Sequence, residues 1–361
     1  DGWIPGRIEV ITTTISAKDW QTLYGRGYNS ALKMKAVVIK QPGNPSVLQL
    51  QEVEDPLPAA DEIQVRVRAT ALNRADLLQR RGLYPAPPGV RKDIPGLEFA
   101  GEIIALGARV TAFKAGDRVM GLLPGEGYAG KIVTHERMAI PIPDCMSFEE
   151  AASIPEVFMT AYDALIRQLD LKIGERILIH AVGSGVGIAA VQLAKTAGAW
   201  VFGTAGSDEK LSKAKVLGLD RGINYKREDF QEVVRAETGN QGVNAILDVV
   251  GSSYWEKNLA CLAPQGRIIL VGLLSGAKAQ TDLGLILRKR LQIIGTVLRT
   301  RPLEEKMALT QELRSRLLPL FESGQIRPVI DGVFPLEKAA QAHAYMEENK
   351  NFGKIVLRVA D

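Results

Sequence analysis

The chain has 361 residues, enough for two domains of ordinary size, with 46% hydrophobic and 24% charged residues, the balance of a globular protein with a sizeable core. Its net charge is only +4, and Lys and Arg are scattered among acidic neighbours, which argues against nucleic acid as a partner and leaves room for anionic small ligands. No apolar run is long enough to span a bilayer, and the two cysteines, Cys145 and Cys261, belong to no CxxC pair, which excludes a disulfide framework or a cysteine zinc cluster and points to a reducing, cytoplasmic compartment.

Residues 1–33 lack the continuous apolar core of a secretory signal. They read as an extension of uncertain origin: an upstream segment, a cloning remnant or a transit segment, the last disfavoured by acidic residues and few arginines. Strand-like alternation begins at once in "MKAVVIKQPGNPSVLQLQEVEDP", so the first domain is expected to start at Met34. From 34 to 157, short apolar strands such as "EIQVRVRATAL", "EFAGEIIALG", "GDRVMGLL" and "GYAGKIVTHERMAIPIP" are separated by Gly and Pro. This pattern predicts a β-rich, barrel-like unit with long loops. From 158 to 299, apolar β-branched strands ("RILIHA", "WVFGTA", "GINY", "AILDVV", "RIILVG", "QIIGTVL") alternate with amphipathic helices. That predicts an α/β domain with a doubly wound parallel sheet covered on both faces. "LRKRL" at 287–291 reads as a solvated helix end. From 300 to 361, Met307, Leu313, Leu317 and Phe321 recur at helical spacing and a strand, "GKIVLRV", closes the chain.

The first strand of the parallel unit runs into "HAVGSGVGIAAVQLAKTAGA", residues 180–199. Glycines at 183, 185 and 187 crowd the turn without matching the simple G-x-G-x-x-G spacing. The order strand, glycine turn, helix nevertheless fits a pyrophosphate cradle, because free N–H groups and the helix dipole favour an anion there. Gly185, Val186 and Gly187 are the expected backbone contacts. The second strand, "WVFGTA", ends at Gly206 and Ser207 with Lys210 following, and no acid stands at the strand end itself. An acid at that point would bind a ribose 2′-hydroxyl; a hydroxyl and an ammonium favour a 2′-phosphate, and hence NADPH. Asp208 opposes this unless "SDEK" is a helix start. Tyr225 is either a further donor to the phosphate or a half-buried packing residue. His180 reads as a core histidine, and His135 and His343 carry no partner pattern.

Together "ALNRADLLQRRGLYP", "PGLEFAGEI", "GDRVMGL", "AASIPEVFMTAYDAL", "HAVGSGVG", "GTAGSDEK", "NYKREDF" and "NFGKIVL" resemble the medium-chain dehydrogenase/reductase superfamily. The resemblance is to its zinc-free quinone oxidoreductase branch, in the subgroup that includes the tumour-suppressor-induced quinone oxidoreductase. It implies a GroES-like catalytic domain split around a Rossmann domain, with NADPH in the cleft. Zinc-dependent relatives carry a Cys in the first catalytic loop and Gly-His-Glu in the next. Here the stretches read "LNRAD" and Gly96-Leu97-Glu98; leucine cannot coordinate and Asn73 is a poor substitute for thiolate. No metal site is expected.

The resemblance places Asn73 and Tyr84 at the cleft as donors to a quinone carbonyl, the alternatives being a turn cap for Asn73 and loop packing for Tyr84. It places Thr160 beside the nicotinamide, Ser184 beside the pyrophosphate and Lys354 near the cofactor's phosphates. The stretch 271–276, with Leu273 and Ser275, falls at the C-terminal edge of the fifth strand, where open sheets bind ligands. Leu78 stands where some quinone oxidoreductases carry a second tyrosine. The implied activity is NADPH-dependent quinone reduction. An enone double-bond reductase, with Tyr84 as proton donor, or a non-enzymatic nucleotide- or RNA-binding relative are the alternatives. The apolar strand "LQIIGTVL" at 291–298 is the last of its sheet and is expected to pair with a second copy in a homodimer, unless the C-terminal helix covers it.

Overall fold

The computed structural model describes residues 33–360, so the extension expected over 1–33 lies outside the described residues except for Lys33, the first residue of a strand. Strands β1 (Lys33–Ile39) and β2 (Leu48–Glu54) form an antiparallel ribbon. Next come β3 (Glu62–Ala71), β4 (Glu98–Leu106), β5 (Arg118–Leu122), β6 (Lys131–His135) and β7 (Ala139–Pro141). The parallel unit follows: β8 (Arg176–Ile179), β9 (Trp200–Ala205), β10 (Arg221–Asn224), β11 (Val243–Asp248), β12 (Leu262–Leu270) and β13 (Gln292–Gly295). Two last strands, β14 (Ile330–Pro335) and β15 (Lys354–Arg358), lie beyond it.

The six middle strands order as β10-β9-β8-β11-β12-β13, parallel throughout. Numbered within the unit this is 3-2-1-4-5-6, the order of the dinucleotide-binding sheet, in which the crevice opens beyond the C-terminal ends of the first and fourth strands. Ile177, Leu178, Ile179, Val201, Ile246, Leu247, Ile268 and Ile269 on its strands are fully enclosed or nearly so, because helices cover both faces.

The remaining sheet orders as β14-β15-β3-β4-β5-β7, with β6 also pairing with β3. The chain therefore leaves the β-rich unit, builds the parallel unit, and returns: β15 pairs antiparallel with β3 through Val356–Ala71 and Leu357–Thr70. Helix Leu303–Arg316 buries Met307, Leu309 and Leu313 in the core. The expected apolar stripe continues through Leu317 and Phe321, but in a second short helix, Leu318–Glu322. Pro319 has no N–H to continue the first helix and suits the opening turn of the next.

The edge strand expected over 291–298 is shorter, Gln292–Gly295, and pairs only with β12. Among the described residues nothing pairs with its outer side, and Ile293 is 42% and Val297 45% exposed. The C-terminal helix does not take up that pairing.

Candidate active site and nucleotide cleft

After β8 the backbone turns through Ala181–Ser184 and enters helix Gly185–Thr196. Ser184 is its N-cap, its Oγ accepting from the Gly187 N–H at 3.0 Å. The first-turn N–H groups of Gly185 and Val186 have no intrahelical partner by construction of a helix, so this turn offers an anion two donors and the positive dipole end. Glycine is required at 187 because a Cβ there would stand 2.3 Å from the Ala181 carbonyl oxygen and 2.8 Å from the Val182 Cα. The cradle is thus a steric fit of helix to strand end, and it suits a pyrophosphate.

At the end of β9 the same logic repeats. Ser207 caps helix Asp208–Lys215 by accepting from the Lys210 N–H at 3.3 Å. Gly206 lies directly under Tyr225: a Cβ on Gly206 would meet the phenol oxygen at 2.6 Å. Tyr225 is 47% exposed and holds its hydroxyl over the strand end. Asp208 does not oppose an anion there, because its carboxylate turns to Asn224 Nδ2 (2.7 Å) and pairs with Arg227. Lys210 crosses to the C-terminal return, donating from Nζ to the Asn349 carbonyl at 2.6 Å. Burial and the nearby Arg74 hold its ammonium below the usual lysine range, against an opposing pull from Asp331. Gly206, Ser207 and Tyr225 meet at this strand end, whereas the Lys210 stem passes Gly183, where a Cβ would stand 2.9 Å from its Cδ, on its way to Asn349.

Across the cleft, Asn73 ends β3's exit and precedes helix Arg74–Arg80, with its backbone N–H donating to Asp76 Oδ2 at 2.8 Å. Its side chain is not a free donor to substrate. Nδ2 donates to Glu98 Oε1 (2.8 Å) and Oδ1 accepts from Lys354 Nζ (2.7 Å). Lys354 also departs from the expected role. Its stem passes Gly185, where a Cβ would stand 2.9 Å from Lys354 Cδ, yet its ammonium turns away from the pyrophosphate cradle. It donates instead to Leu72 O (2.8 Å), Asn73 Oδ1 (2.7 Å) and Glu98 Oε1 (2.7 Å). A buried ammonium goes to the buried carboxylate, since neither ion is tolerated there alone.

Beneath this cluster Asp76 is fully buried, accepts from Gly96 N–H at 3.0 Å, and is pushed up to about 6 by burial. Tyr128 donates from its hydroxyl to Asp76 Oδ2 (3.3 Å) and meets His343 Nε2 at 3.1 Å. Arg80 donates from Nη1 to His343 Nδ1 at 3.3 Å. Arginine can only donate, so Nδ1 is the acceptor and Nε2 carries the proton toward Tyr128. Burial, with Arg80 alongside, pushes His343 down to about 3, so it is a neutral strut. His180 is likewise structural: fully buried between Thr204 Oγ1 (3.0 Å) and Asn258 Oδ1 (2.7 Å), and pushed down to about 4 by burial.

Tyr84 is half-buried and makes no hydrogen bond from its hydroxyl to the described residues. Arg299, from the segment after β13, lies with its guanidinium carbon 5.0 Å from the Tyr84 ring centre. It is anchored by donating to Gln79 Oε1 and Pro124 O, both at 2.6 Å. Burial and the charge of Glu156 raise the Tyr84 phenol above its ordinary range, with Arg299 opposing, so the phenol stays protonated as a donor.

Thr160 is almost fully buried on helix Pro155–Tyr162. One helical turn before it, on the same face, stands Glu156, whose backbone N–H donates to Glu98 Oε2 at 2.8 Å. The loop 271–276 lies at the expected strand end with Leu273 exposed, but Ser275 Oγ is engaged, donating to Val250 O (2.8 Å) and accepting from Ser253 N–H (3.0 Å). Glu98, Glu156, Asp76 and Arg299 were not singled out as functional groups from the sequence. The available signal was an ionisable residue inside an apolar run: Glu98 in "GLEFAG", Glu156 in "SIPEVFMTA". Among the described residues no group of three or more His, Cys, Asp or Glu is arranged to hold a metal ion.

Residues 185–313 match the family model described as "Zinc-binding dehydrogenase", and residues 59–144 match "Alcohol dehydrogenase GroES-like domain". A quinone oxidoreductase of Pseudomonas aeruginosa is 36% identical over 320 residues, covering 87% of this chain and 96% of the relative. The solved structure of Escherichia coli quinone oxidoreductase complexed with NADPH aligns with a TM-score of 0.81 at 32% identity, over 90% of this chain and 99% of that one. CurK enoyl reductase aligns with a TM-score of 0.82 at 30% identity, over 91% and 99%. A GroES-like catalytic unit joined to a Rossmann-type sheet is what the strand orders show independently, and the chain belongs to the medium-chain dehydrogenase/reductase superfamily, in its quinone oxidoreductase branch.

Proposed function

We propose that the chain is an NADPH-dependent quinone oxidoreductase that works without zinc. The observation that carries the reading is that Asn73, which by the resemblance stands at a ligand position of zinc-dependent relatives, is held between Glu98 and Lys354, while Leu97 at the other such position cannot coordinate. A quinone needs no Lewis acid to accept hydride, because its product is aromatic. It needs stacking on the nicotinamide and a hydrogen bond to the carbonyl that gains charge.

Reduced nicotinamide supplies the hydride when bound. The glycine turn at 185–187 and the Ser184 hydroxyl would hold its pyrophosphate, Ser207, Lys210 and Tyr225 its 2′-phosphate, and Thr160 and the 271–276 loop would flank the nicotinamide half. Tyr84 donates to the substrate oxygen. Arg299 fixes the Tyr84 loop, and Asn73 orients Lys354 and Glu98 rather than touching substrate. In this division of labour residues 34–157 and 300–361 form the catalytic unit and 158–299 the nucleotide unit.

Reduction of an enone double bond uses the same hydride geometry, and the likeness to an enoyl reductase favours it as the second reading. Steady-state rates on a panel of quinones and enones with NADPH and NADH decide between them. Faster turnover of enones than of any quinone overturns the first reading, and no turnover of either overturns both.

We further propose a homodimer joined along β13, whose outer side is open and apolar. No helix among the described residues is long and apolar enough to cross a membrane. Cys145 and Cys261 are both unpaired, which supports a reducing, cytoplasmic location.

A further inference from the structure

Glu156 is an acid without an assignment. It occupies the second position of helix Pro155–Tyr162, one turn before Thr160. Its neighbour Val157 packs on the pyrophosphate turn, where a Cβ on Gly185 would meet Val157 Cγ1 at 2.8 Å. The residue is half-buried, and its carboxyl oxygens make no hydrogen bond or ion pair with the described residues, although its backbone N–H is engaged by Glu98. The carboxyl is thus left unpartnered on a helix whose next turn carries Thr160, within electrostatic reach of Tyr84 and Arg299.

The charged and titratable groups around it come from every element that lines this floor. Glu98 on β4 and Asp76 on helix Arg74–Arg80 oppose a negative charge, while Lys354 on β15 and Arg299 after β13 favour it. Tyr84 faces it from the loop after helix Arg74–Arg80. The cations are already committed: Lys354 to Glu98, Asn73 and Leu72, and Arg299 to Gln79 and Pro124. The helix N-terminus favours an anion, but burial and Glu98 outweigh it and push the Glu156 carboxyl up to about 8.

We propose that Glu156 is a catalytic residue that donates a proton to the substrate after hydride arrives. The inference rests on the quinone or enone reading above. Hydride from bound reduced nicotinamide, two electrons with one proton, would leave its C–H bond and form an O–H bond at one quinone carbonyl, giving a hydroquinone monoanion with the charge on the other oxygen. The Glu156 O–H bond then breaks and an O–H bond forms on the anionic oxygen, giving neutral hydroquinone and a Glu156 carboxylate. Water at the cleft mouth returns the proton. For an enone the same proton goes to the enolate. Tyr84 supports the oxygen by hydrogen bonding and keeps its own proton, since a phenolate beside Glu98, Asp76 and Glu156 would add charge to an already acidic floor. An acid poised near working pH is the better donor.

The test uses the full chain and its Glu156→Gln variant. In the ligand-free protein, infrared or 13C carboxyl titration is expected to show a protonated carboxyl that ionises near pH 8 and is missing from the variant. The variant replaces a neutral acid with a neutral amide, so its NADPH affinity and thermal midpoint at neutral pH stay as in the wild type. Its kcat on quinones is expected to fall about 10²–10⁴-fold, and the decline of the wild-type rate as pH rises through 8 is expected to vanish. A Glu156 carboxyl already ionised at neutral pH overturns the proposal, as does an active Glu156→Gln variant with the wild-type rate and pH profile. A protein that reduces neither quinones nor enones, yet shows the titration near pH 8, overturns the functional reading and with it the catalytic role. Loss confined to the variant is distinct from that case.

Discussion

Replacing Lys354 with Met tests whether this lysine serves the carboxylate cluster or the cofactor. The Lys354 and Glu98 side chains are 4% and 0% exposed, and their ions stand 2.7 Å apart. Two further acceptors, Leu72 O and Asn73 Oδ1, complete the ammonium's three donors at 2.8 and 2.7 Å. Methionine keeps most of the stem that packs against Gly185, so the cavity term is small and the charge term dominates. Removing one partner of a buried pair costs about 3–5 kcal/mol, because the other ion is left without compensation. That is a factor of about 10²–10⁴ in the local opening equilibrium.

Two-domain chains do not melt as one unit by default. The assay is therefore amide hydrogen exchange of β3, β4 and β15 read by mass spectrometry, which reports the free energy of opening strand by strand. Protection should fall by that factor in these strands and hold in β8 and β9. The double variant Lys354→Met with Glu98→Gln should recover much of it, since the amide no longer buries a charge. NADPH affinity should stay near the wild-type value. A loss under about 1 kcal/mol, or weakened NADPH binding with intact protection, refutes the reasoning and restores Lys354 as a phosphate ligand.

Lys210→Ala is expected to weaken NADPH binding about tenfold to a hundredfold more than NADH binding, the scale of a charge-assisted hydrogen bond; fluorescence titration with both cofactors checks it, and equal losses refute the 2′-phosphate pocket. Gly187→Ala places a Cβ 2.3 Å from a backbone oxygen, so it should cost at least about 1–3 kcal/mol and displace the Ser184–Gly187 turn, read as a lower thermal midpoint together with lost NADPH affinity. Dialysis against a strong chelator should leave turnover unchanged, because Leu97 and the engaged Asn73 are no ligands; tightly bound zinc required for turnover refutes this. Light scattering at micromolar concentration should give a dimer mass, and Ile293→Pro, which removes a donor facing away from β12 because the Thr296 N–H donates to Leu270 O and every second residue shares that side, should halve it; a wild-type monomer refutes pairing along β13.

The parallel unit was legible because each of its strands is a short β-branched run between glycine-rich turns, and four of the six fall within two residues of where the pattern puts them. Boundaries went astray where pairing rather than composition decides. β12 begins at Leu262, ahead of "RIIL", because Val243 pairs with Leu262 before a register shift to Ala245–Arg267. β13 stops at Gly295 because an edge strand has one neighbour and the chain turns off when that ladder ends. The turns proposed to hold the nucleotide were legible as turns for a related reason: Ser184, Gly187, Gly206, Ser207 and Lys210 lie at strand ends and helix starts, and local chemistry fixes both.

The catalytic floor was not legible, because its members meet only in the fold. Asn73, Glu98, Glu156, Arg299 and Lys354 come from five separate segments, and the direction of one ammonium depends on which carboxylate is nearest after folding. Lys354 was expected at the phosphates from the resemblance; its stem does pass the glycine turn, but the last bonds of the side chain carry the ammonium to Glu98.

The returning C-terminal segment explains why nucleotide and substrate chemistry share one cleft. His343, Asn349 and Lys354 lie within one stretch of chain, and each reaches a different layer of the site. His343 props Tyr128 and, through it, Asp76. Asn349, in a left-handed conformation at φ 56°, accepts Lys210 on its carbonyl and Arg74 on its side chain. It thereby joins the nucleotide helix Asp208–Lys215 to the catalytic helix Arg74–Arg80. Lys354 neutralises Glu98. In the proposed pocket a 2′-phosphate beside Ser207 would compete with the Asn349 carbonyl for the Lys210 ammonium, drawing on a bond that ties the two units together. Through Asn349 that same bond is linked to Arg74, which stands next to Asn73. The proposed phosphate pocket and the Asn73 cluster would thus be connected by a short run of polar contacts through a single turn.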